Sequence, residues 1–405
     1  MILLSHPTAN QNVRQTALAF VEAGLLEEFW TCVNWKQNTF FDRLLSWNSR
    51  VQNEVRRRSF APELQPFIRT SSWREWGRLI LGQLGFPQSG SFSLDAVYES
   101  LDRKVASRLA SSERIKAVYA YDGVALETFR MAKKRGTRCI YEHPIVYWRK
   151  VREIQREEAE RHPEWAPTLL ALRDSDEKVA RKDEELALAD VIVTPSLFSR
   201  ESLAAAPNLK ASIHVIPYGG PAIREPIDDA PREKLRVLFV GALSQAKGLG
   251  YLLEAAARFE KQIELTLIGQ RLSATVPPQT VLDRYRYLPS LPHDQLLGEM
   301  SRHDVLVFPS LHEGFGLVLL EAMAQGTVPI ATNHTGAPDV IEDGVDGFVI
   351  PIRSAEAIAE KLDLLLHDRK RLAAMKAAAR RKAAARPWEI WRERVVALAR
   401  DMIAN

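Results

Sequence analysis

At 405 residues the chain exceeds what one hydrophobic core usually organises, so two domains are expected. Its 46% hydrophobic and 26% charged residues describe an ordinary globular protein, and no apolar run reaches the roughly 18 residues of a membrane span. A net charge of +4, from 55 basic against 51 acidic side chains, is too balanced to predict nucleic-acid binding.

Residues 1–5 form a first short apolar run without the basic start and long apolar stretch of a secretory signal, so a cytosolic location is expected. His6-Pro7-Thr8-Ala9-Asn10-Gln11-Asn12 follows this run and leads into a helix. Further strand-like runs lie at 29–35, 115–121, 138–142, 190–195 and 213–217, separated by helical patterns. About 80 residues separate the second run from the third, more than one crossover needs. They carry Trp47, Phe60, Phe67, Trp73, Trp76 and Phe86 among basic residues, and read either as an acceptor-binding or membrane-facing insertion or as helices completing the core. Arg56-Arg57-Arg58, with Arg380-Arg381-Lys382 near the other end, could touch anionic headgroups or simply be solvated helix faces. Cys32 and Cys139, the only cysteines, lie in strand-like runs and read as buried free thiols.

His143 follows the run at 138–142 and precedes Pro144, which predicts a ring emerging at the carboxyl end of a strand. Residues 149–185 read as a charged, helix-prone arm divided by Pro163 and Pro167, more a solvated helical pair than a site. Its Asp174-Ser175-Asp176 has a spacing that can hold a divalent ion, but it lies far in sequence from the other motifs, so no metal is expected. Residues 219–232 contain glycines, prolines and acids and read as a linker between domains at 1–218 and 233–386.

The second half repeats the alternation, with strands at 236–241, 263–269, 304–309, 328–332 and 347–351 and helices including 250–259 and 355–367. Strands alternating with helices imply parallel α/β layers with ligands at the strands' carboxyl ends. Two Rossmann-like domains facing each other across a cleft are therefore expected. A last helix, 388–403, carries Trp388, Ile390, Trp391, Val395 and Leu398 at helical spacing and needs a surface to dock on.

The chemistry concentrates in two loops of this half. Val240-Gly241-Ala242-Leu243-Ser244-Gln245-Ala246-Lys247-Gly248 aims a lysine at the strand ends but is no P-loop, lacking the Gly-Lys-Ser/Thr ending. His312-Glu313-Gly314-Phe315-Gly316 runs into the apolar helix at 317–324, which places Glu321 seven intervening residues after Glu313. Glycines allow close backbone approach, amides at a helix start attract anions, and carboxylates beside them accept bonds from hydroxyls. The ligand implied is anionic and polyhydroxylated, although a tight turn followed by two surface glutamates would read the same way.

Read in order, Gly241-Ala242-Leu243 with Lys247-Gly248, Ile268-Gly269, Asp304-Val305-Leu306-Val307-Phe308-Pro309-Ser310, Glu313-Gly314-Phe315-Gly316 with Glu321, Gly336-Ala337-Pro338-Asp339-Val340-Ile341 and Asp343-Gly344-Val345-Asp346-Gly347-Phe348 resemble the GT-B retaining glycosyltransferases of family four, the glycosyl transferases of group 1. The resemblance runs from Val237 to about Leu372 and is thinner in the first half, where it rests on 189–196, 215–219 and His143. It implies a hexosyl- or deoxyhexosyltransferase that moves a sugar from a nucleotide-diphosphate donor, UDP- or GDP-linked, to a carbohydrate or glycolipid acceptor. Metal and cofactor would not be needed, polysaccharide or glycolipid biosynthesis would be the setting, and peripheral membrane contact would be compatible with it.

By the same resemblance Glu313, His143 and Lys247 are the catalytic candidates. Glu313 would contact the donor sugar, Lys247 the diphosphate and Glu321 the ribose. Gly241, Leu288, Gly314, Phe315, Gly316 and Leu317 would complete the donor site, largely through main chain, and the helix from 388 to 405 would pack back on the first domain. Two departures matter. Ala242 and Ala246 stand where many relatives carry an arginine, which shifts the burden to Lys247 or to a residue across the cleft such as Arg14, and Ala9 stands where relatives often have glycine. A nucleotide-sugar epimerase or hydrolase, or a non-catalytic nucleotide-sugar-binding protein on the same scaffold, is the alternative.

Overall fold

The computed structural model describes residues 1–35, 57–86, 89–223 and 233–404, so Trp47, Arg56 and most of the linker lie outside the described residues. Two fully parallel sheets organise the chain. The first contains β1 (Ile2–Ser5), β2 (Leu26–Thr31), β3 (Ile68–Thr70), β4 (Ala117–Tyr121), β5 (Arg138–Glu142), β6 (Val191–Thr194) and β7 (Ser212–Val215) in the order β3-β2-β1-β4-β5-β6-β7. The second contains β8 (Leu235–Val240), β9 (Ile263–Ile268), β10 (Arg286–Leu288), β11 (Val305–Phe308), β12 (Val328–Thr332) and β13 (Phe348–Ile350) in the order β10-β9-β8-β11-β12-β13. Central strands such as β1, β4, β11 and β12 are buried along their whole length, which is why they read as unbroken apolar runs rather than alternating ones.

The expected two-domain α/β architecture is present, with three local differences. β3 and β10 are three-residue strands at sheet edges, too short for any periodicity to show. β2 covers Leu26–Thr31 instead of 29–35, because Glu27 and Glu28 look foreign to a strand. Glu28 is nevertheless buried, accepting from Trp30 Nε1 at 2.9 Å and Arg108 Nε at 3.0 Å.

The third difference concerns the arm at 149–185, which is no solvated pair. Its helices, Trp148–Arg161 and Asp176–Leu188, are joined by short 3-10 turns, and Ile154 and Trp165 pack into the core of the second sheet although the arm belongs to the connection between β5 and β6.

The chain crosses between the sheets twice, side by side. Gly220 N donates to Arg386 O at 2.9 Å, and a Cβ on Gly219 would fall 2.5 Å from the Trp388 backbone, so only glycine fits there. The helix Trp388–Ala404 then lies against the helix Gln11–Glu22, burying Trp391 and Val395, while Arg392 reaches Gln15 Oε1 at 3.1 Å. One continuous apolar cluster therefore runs from Ile2 and Leu4 through Trp388 and Trp391 to Leu306 and Phe308.

Candidate functional site

The loops after β1, β8, β9 and β10 converge on one cleft of about 1170 Å³, lined by Thr8–Gln11 and Arg14 on one side and by Gly241, Ala242, Gly269, Leu291 and His293 on the other. Backbone contact holds the second side together: Gly241 N donates to Ile268 O at 2.9 Å, and a Cβ on Gly269 would lie 1.8 Å from Gly241 O. Leu288 O accepts from Gly269 N at 3.1 Å, so Leu288 braces this rim, while its neighbours Ser290 and Leu291 face the cleft.

The lysine loop folds as a 3-10 turn, Gln245–Lys247, ended by Gly248 at a φ of 67°, where a Cβ would sit 2.0 Å from Pro309 O. This lodges Lys247 at the end of β11, with its stem against Gly241 and its Nζ on Glu313 Oε1. Glu313 also receives Ser310 Oγ at 3.4 Å, and its amide donates to His334 O at 2.9 Å. Lys247, Glu313, His312 and Gly314 line a smaller cavity of about 260 Å³ with Ile145, Trp148 and Lys182. A Cβ on Gly241, which lines the larger cleft, would lie 3.6 Å from Lys247 Cγ, so the lysine stem passes close to that cleft.

His312 is partly buried, and desolvation pushes its pKa down to about 4, so it stays neutral beside the ion pair. Gln155 Oε1 accepts from Ala171 N at 3.1 Å, which leaves Gln155 Nε2 to donate to His312 Nε2 at 3.0 Å and fixes the imidazole proton on Nδ1.

The two glycines of the acidic loop have different tasks. Gly316 caps the helix Leu317–Ala324 at a φ of 90°, turning the first-turn amides of Leu317 and Val318 outward, where no intrahelical acceptor exists. Gly314 does not wait for a ligand: a Cβ there would lie 1.8 Å from Pro144 O, and Gly314 O accepts from Ser196 Oγ at 2.5 Å. The close approach is to the backbone of the first sheet's own loops. Phe315 is buried between them, 5.4 Å from the Tyr218 ring, which in turn neighbours Trp388 and Trp391 at 5.8 Å each.

Glu321 stands apart from the Lys247–Glu313 pair. It is 8% exposed, and its closest basic group is His293 Nδ1 at 3.8 Å, through which it reaches the cleft. Burial raises its pKa to about 7.

His143 departs furthest from expectation. Its ring does not emerge at the rim: it is 1% exposed, stacks on Tyr141 at 6.1 Å and faces Asp122 Oδ1 at 3.4 Å, with no hydrogen bond to either ring nitrogen. Burial works to raise Asp122, but Lys182 and His143 outweigh it and hold the carboxyl well below its ordinary range. The backbone after His143, at Pro144 and Ile145, is what meets Gly314.

Residues without a sequence signal complete the site. Glu158, fully buried on the arm, accepts from Gln245 Nε2 at 2.7 Å, Tyr251 OH at 2.8 Å and Arg353 Nε at 2.8 Å, and Thr168 Oγ1 accepts from Gln245 N at 3.1 Å. The loop that carries Lys247 is thus held by an element of the first sheet's connectivity. Asp174, far from the other motifs in sequence, is brought to the wall of the smaller cavity, where it pairs with Lys178 at 2.7 Å, whereas Asp176 is exposed. Among the described residues, no group of three or more histidine, cysteine, aspartate or glutamate side chains is arranged to hold a metal.

With this geometry in view, comparison with known proteins is informative. Residues 224–382 match the family of glycosyl transferases group 1. The fold is GT-B. Sucrose-phosphate synthase from Thermosynechococcus elongatus superposes with a TM-score of 0.71 at 19% identity, covering 100% of this chain and 99% of that one. HepE of Anabaena in complex with UDP-glucose gives 0.61 at 17% identity, covering 99% of each. Among curated relatives, the amylovoran biosynthesis glycosyltransferase AmsK of Erwinia amylovora is 30% identical over 145 residues, 32% of this chain and 36% of its own. The GDP-mannose-dependent alpha-(1-6)-phosphatidylinositol monomannoside mannosyltransferase of Mycobacterium tuberculosis is 29% identical over 216 residues, 47% of this chain and 56% of its own. The chain thus spans between about one third and just over half of the length of these relatives.

Two outcomes follow from the site's electrostatics. Glu158→Ala leaves the buried Gln245 and Tyr251 donors without their acceptor, while Arg353 keeps Glu157 at 2.7 Å and Ile154 O at 2.9 Å, and should destabilise the fold by about 1–3 kcal/mol in urea titrations. Because the Glu321 pKa rises from 4.5 to about 7 on folding, the folded state binds the extra proton between these values, and stability is lost as pH rises through that window. Glu321→Gln should remove on the order of 3 kcal/mol of that dependence, read as a flatter melting temperature between pH 5 and 7; an unchanged profile would clear Glu321 of the effect.

Proposed function

We propose that the chain is a retaining glycosyltransferase that binds a nucleotide-diphosphate sugar in the cleft and transfers the sugar to a carbohydrate or glycolipid hydroxyl, in polysaccharide or glycolipid biosynthesis. The observation that carries this reading is the Lys247–Glu313 pair, held where the two sheets' loops meet, with the lysine stem passing close to Gly241 on the rim of the cleft. A diphosphate entering beside Gly241 competes with Glu313 for the Lys247 ammonium. Each step of that exchange frees Glu313 to accept bonds from sugar hydroxyls, so one anion's arrival prepares the other contact. The outward amides of Leu317 and Val318 supply further donors to the phosphates.

In the reaction the bond between the anomeric carbon and the phosphate oxygen breaks, and the acceptor oxygen bonds to that carbon from the same face. The acceptor proton passes to the departing phosphate oxygen. Charge on the leaving group is stabilised by preorganised donors, each contributing about 3 kcal/mol, or a hundredfold in rate. Arg14 lines the cleft opposite Ala242 and occupies the side from which a replacement for the family's loop arginine would act. Its Nη2 donates to Arg57 O at 2.7 Å, which sets its direction. His143, being buried, fits a role in supporting the 143–145 backbone better than one in touching the sugar.

Relatives support the substrate class by their names, which include a polysaccharide biosynthesis enzyme and a GDP-mannose-dependent mannosyltransferase. UDP-, GDP- and ADP-sugars should be tested by thermal shift; the true donor at a hundredfold over its Kd stabilises by about 2.7 kcal/mol. Product formation should require an added acceptor. Turnover that proceeds equally without one would mean hydrolysis or epimerisation, and binding without turnover would mean a sensor. Lys247→Ala should lower turnover by at least about tenfold with an unchanged melting curve; near-wild-type turnover would remove the lysine from the mechanism.

A further inference from the structure

The smaller cavity beside the Lys247–Glu313 pair has a second wall, built by the arm between β5 and β6. Trp148, Arg152, Asp174 and Lys182 of that arm line the cavity together with Lys247 and Glu313, so three cations face two carboxylates. Four of these five charges are compensated at close range. Lys247 holds Glu313, Asp174 pairs with Lys178 at 2.7 Å, and Lys182 pairs with the buried Asp122 at 2.8 Å. Arg152 is the exception. Its side chain is only 12% exposed, yet the carboxylate that it reaches, Asp176 at 3.6 Å, stands fully in solvent, where such a pair is screened and contributes little.

What holds Arg152 orients it without neutralising it. Its Nη2 donates to the main-chain carbonyl of Asp174, and its guanidinium lies 5.0 Å from the centroid of the Trp148 ring. Lys182 is fixed beside it, because Asp122, which takes one of its N–H bonds, is itself anchored by Tyr141 OH at 3.0 Å. Neither Arg152 nor Lys182 lines the larger cleft, so their charge is set apart from the place where a diphosphate would enter and close to the carboxylate of Glu313. The cavity measures about 260 Å³, below the roughly 300–1,000 Å³ of sites for drug-sized ligands, which suits one sugar ring and not a chain of them.

We propose that this cavity takes the acceptor sugar and that the acceptor carries an anionic group, a phosphate or a carboxylate, held by the Arg152 guanidinium with Lys182 beside it. The arginine fork matches two oxygens of either group, and a ring anchored in this way keeps its hydroxyls next to Glu313 and Lys247. The role as acceptor rests on the transfer reading; the preference for a charged sugar over a neutral one does not.

Calorimetric titration of the full chain without any donor tests this, with glucose 6-phosphate, mannose 6-phosphate, glucuronate and galacturonate, each set against its neutral parent hexose. At least one charged sugar should bind at least about tenfold more tightly than its parent, and the phosphate and carboxylate arms tell which group is read. Arg152→Gln should abolish that preference with an unchanged melting temperature, and Arg152→Lys, which keeps the charge without the fork, should retain only part of it. If Arg152→Gln lowers the melting temperature, Arg152→Lys decides alone, and an undiminished preference there overturns the proposal. It is equally overturned if no charged sugar is preferred over its parent, if a folded Arg152→Gln keeps the preference, or if inorganic phosphate alone binds as tightly as the sugar phosphates. Turnover is read separately. A charged sugar that binds but is glycosylated by no nucleotide sugar sinks the transfer reading, and the acceptor role with it, while the charged-sugar site stands; transfer to neutral acceptors alone does the reverse.

Discussion

The arrangement of this molecule depends on a single buried carboxylate. Glu158 sits on a helix inserted between β5 and β6 of the first sheet, yet its acceptors are filled by Gln245, Tyr251 and Arg353 of the second. An ionised group so enclosed is tolerable only with its lone pairs satisfied, so the three donors and the carboxylate fix one another's positions. Gln245 is two residues from Lys247, and Gln155, one helical turn before Glu158, sets the tautomer of His312 next to Glu313. The placement of both members of the central ion pair therefore depends on an element from the opposite part of the chain.

That dependence organises the electrostatics of the site. A neutral His312, a lysine directed by Gly248 and a carboxylate anchored through Ser310 and His334 produce a pair of opposite charges with room beside it and, among the described residues, no second cation in direct contact. Such a pair is close to balance, and an anion of higher charge can take the lysine from it at little cost in reorganisation. Glu321, set apart and raised by burial, is a different kind of acceptor, close to its own titration point at neutral pH.

Much of this architecture is legible in the sequence because the central strands are continuous β-branched runs and the helix starts carry glycine. The strands β5 and β12 and the helix Leu317–Ala324 are visible in the residue pattern to their last residue. The edge strands β3 and β10 are not, since three residues carry no period. Gly314 announces a close approach, but a missing side chain does not say what approaches, and here it is Pro144 O. His143 follows a strand end like an active-site residue, and only the packing of Tyr141 and Asp122 around it shows that its ring is enclosed. Glu158 was illegible for a simpler reason. Its partners lie 87, 93 and 195 residues away, and a glutamate in a charged helix has no local feature that distinguishes a buried hub from a solvated surface.

The aromatic rings around Tyr218 have a mechanical implication. Tyr218 ends the first sheet's last connection, Trp388 begins the return crossing, and Phe315 belongs to the loop between Glu313 and the helix start; all touch within one small cluster. Tyr218 is further pinned by its hydroxyl, which donates to Glu142 at 2.6 Å. Any swing of one lobe against the other must roll these rings over each other, and Phe315 cannot move without carrying its own backbone. The crossing point of the chain and the loop that carries Glu313 are therefore mechanically joined, so that a displacement of either is felt at the other.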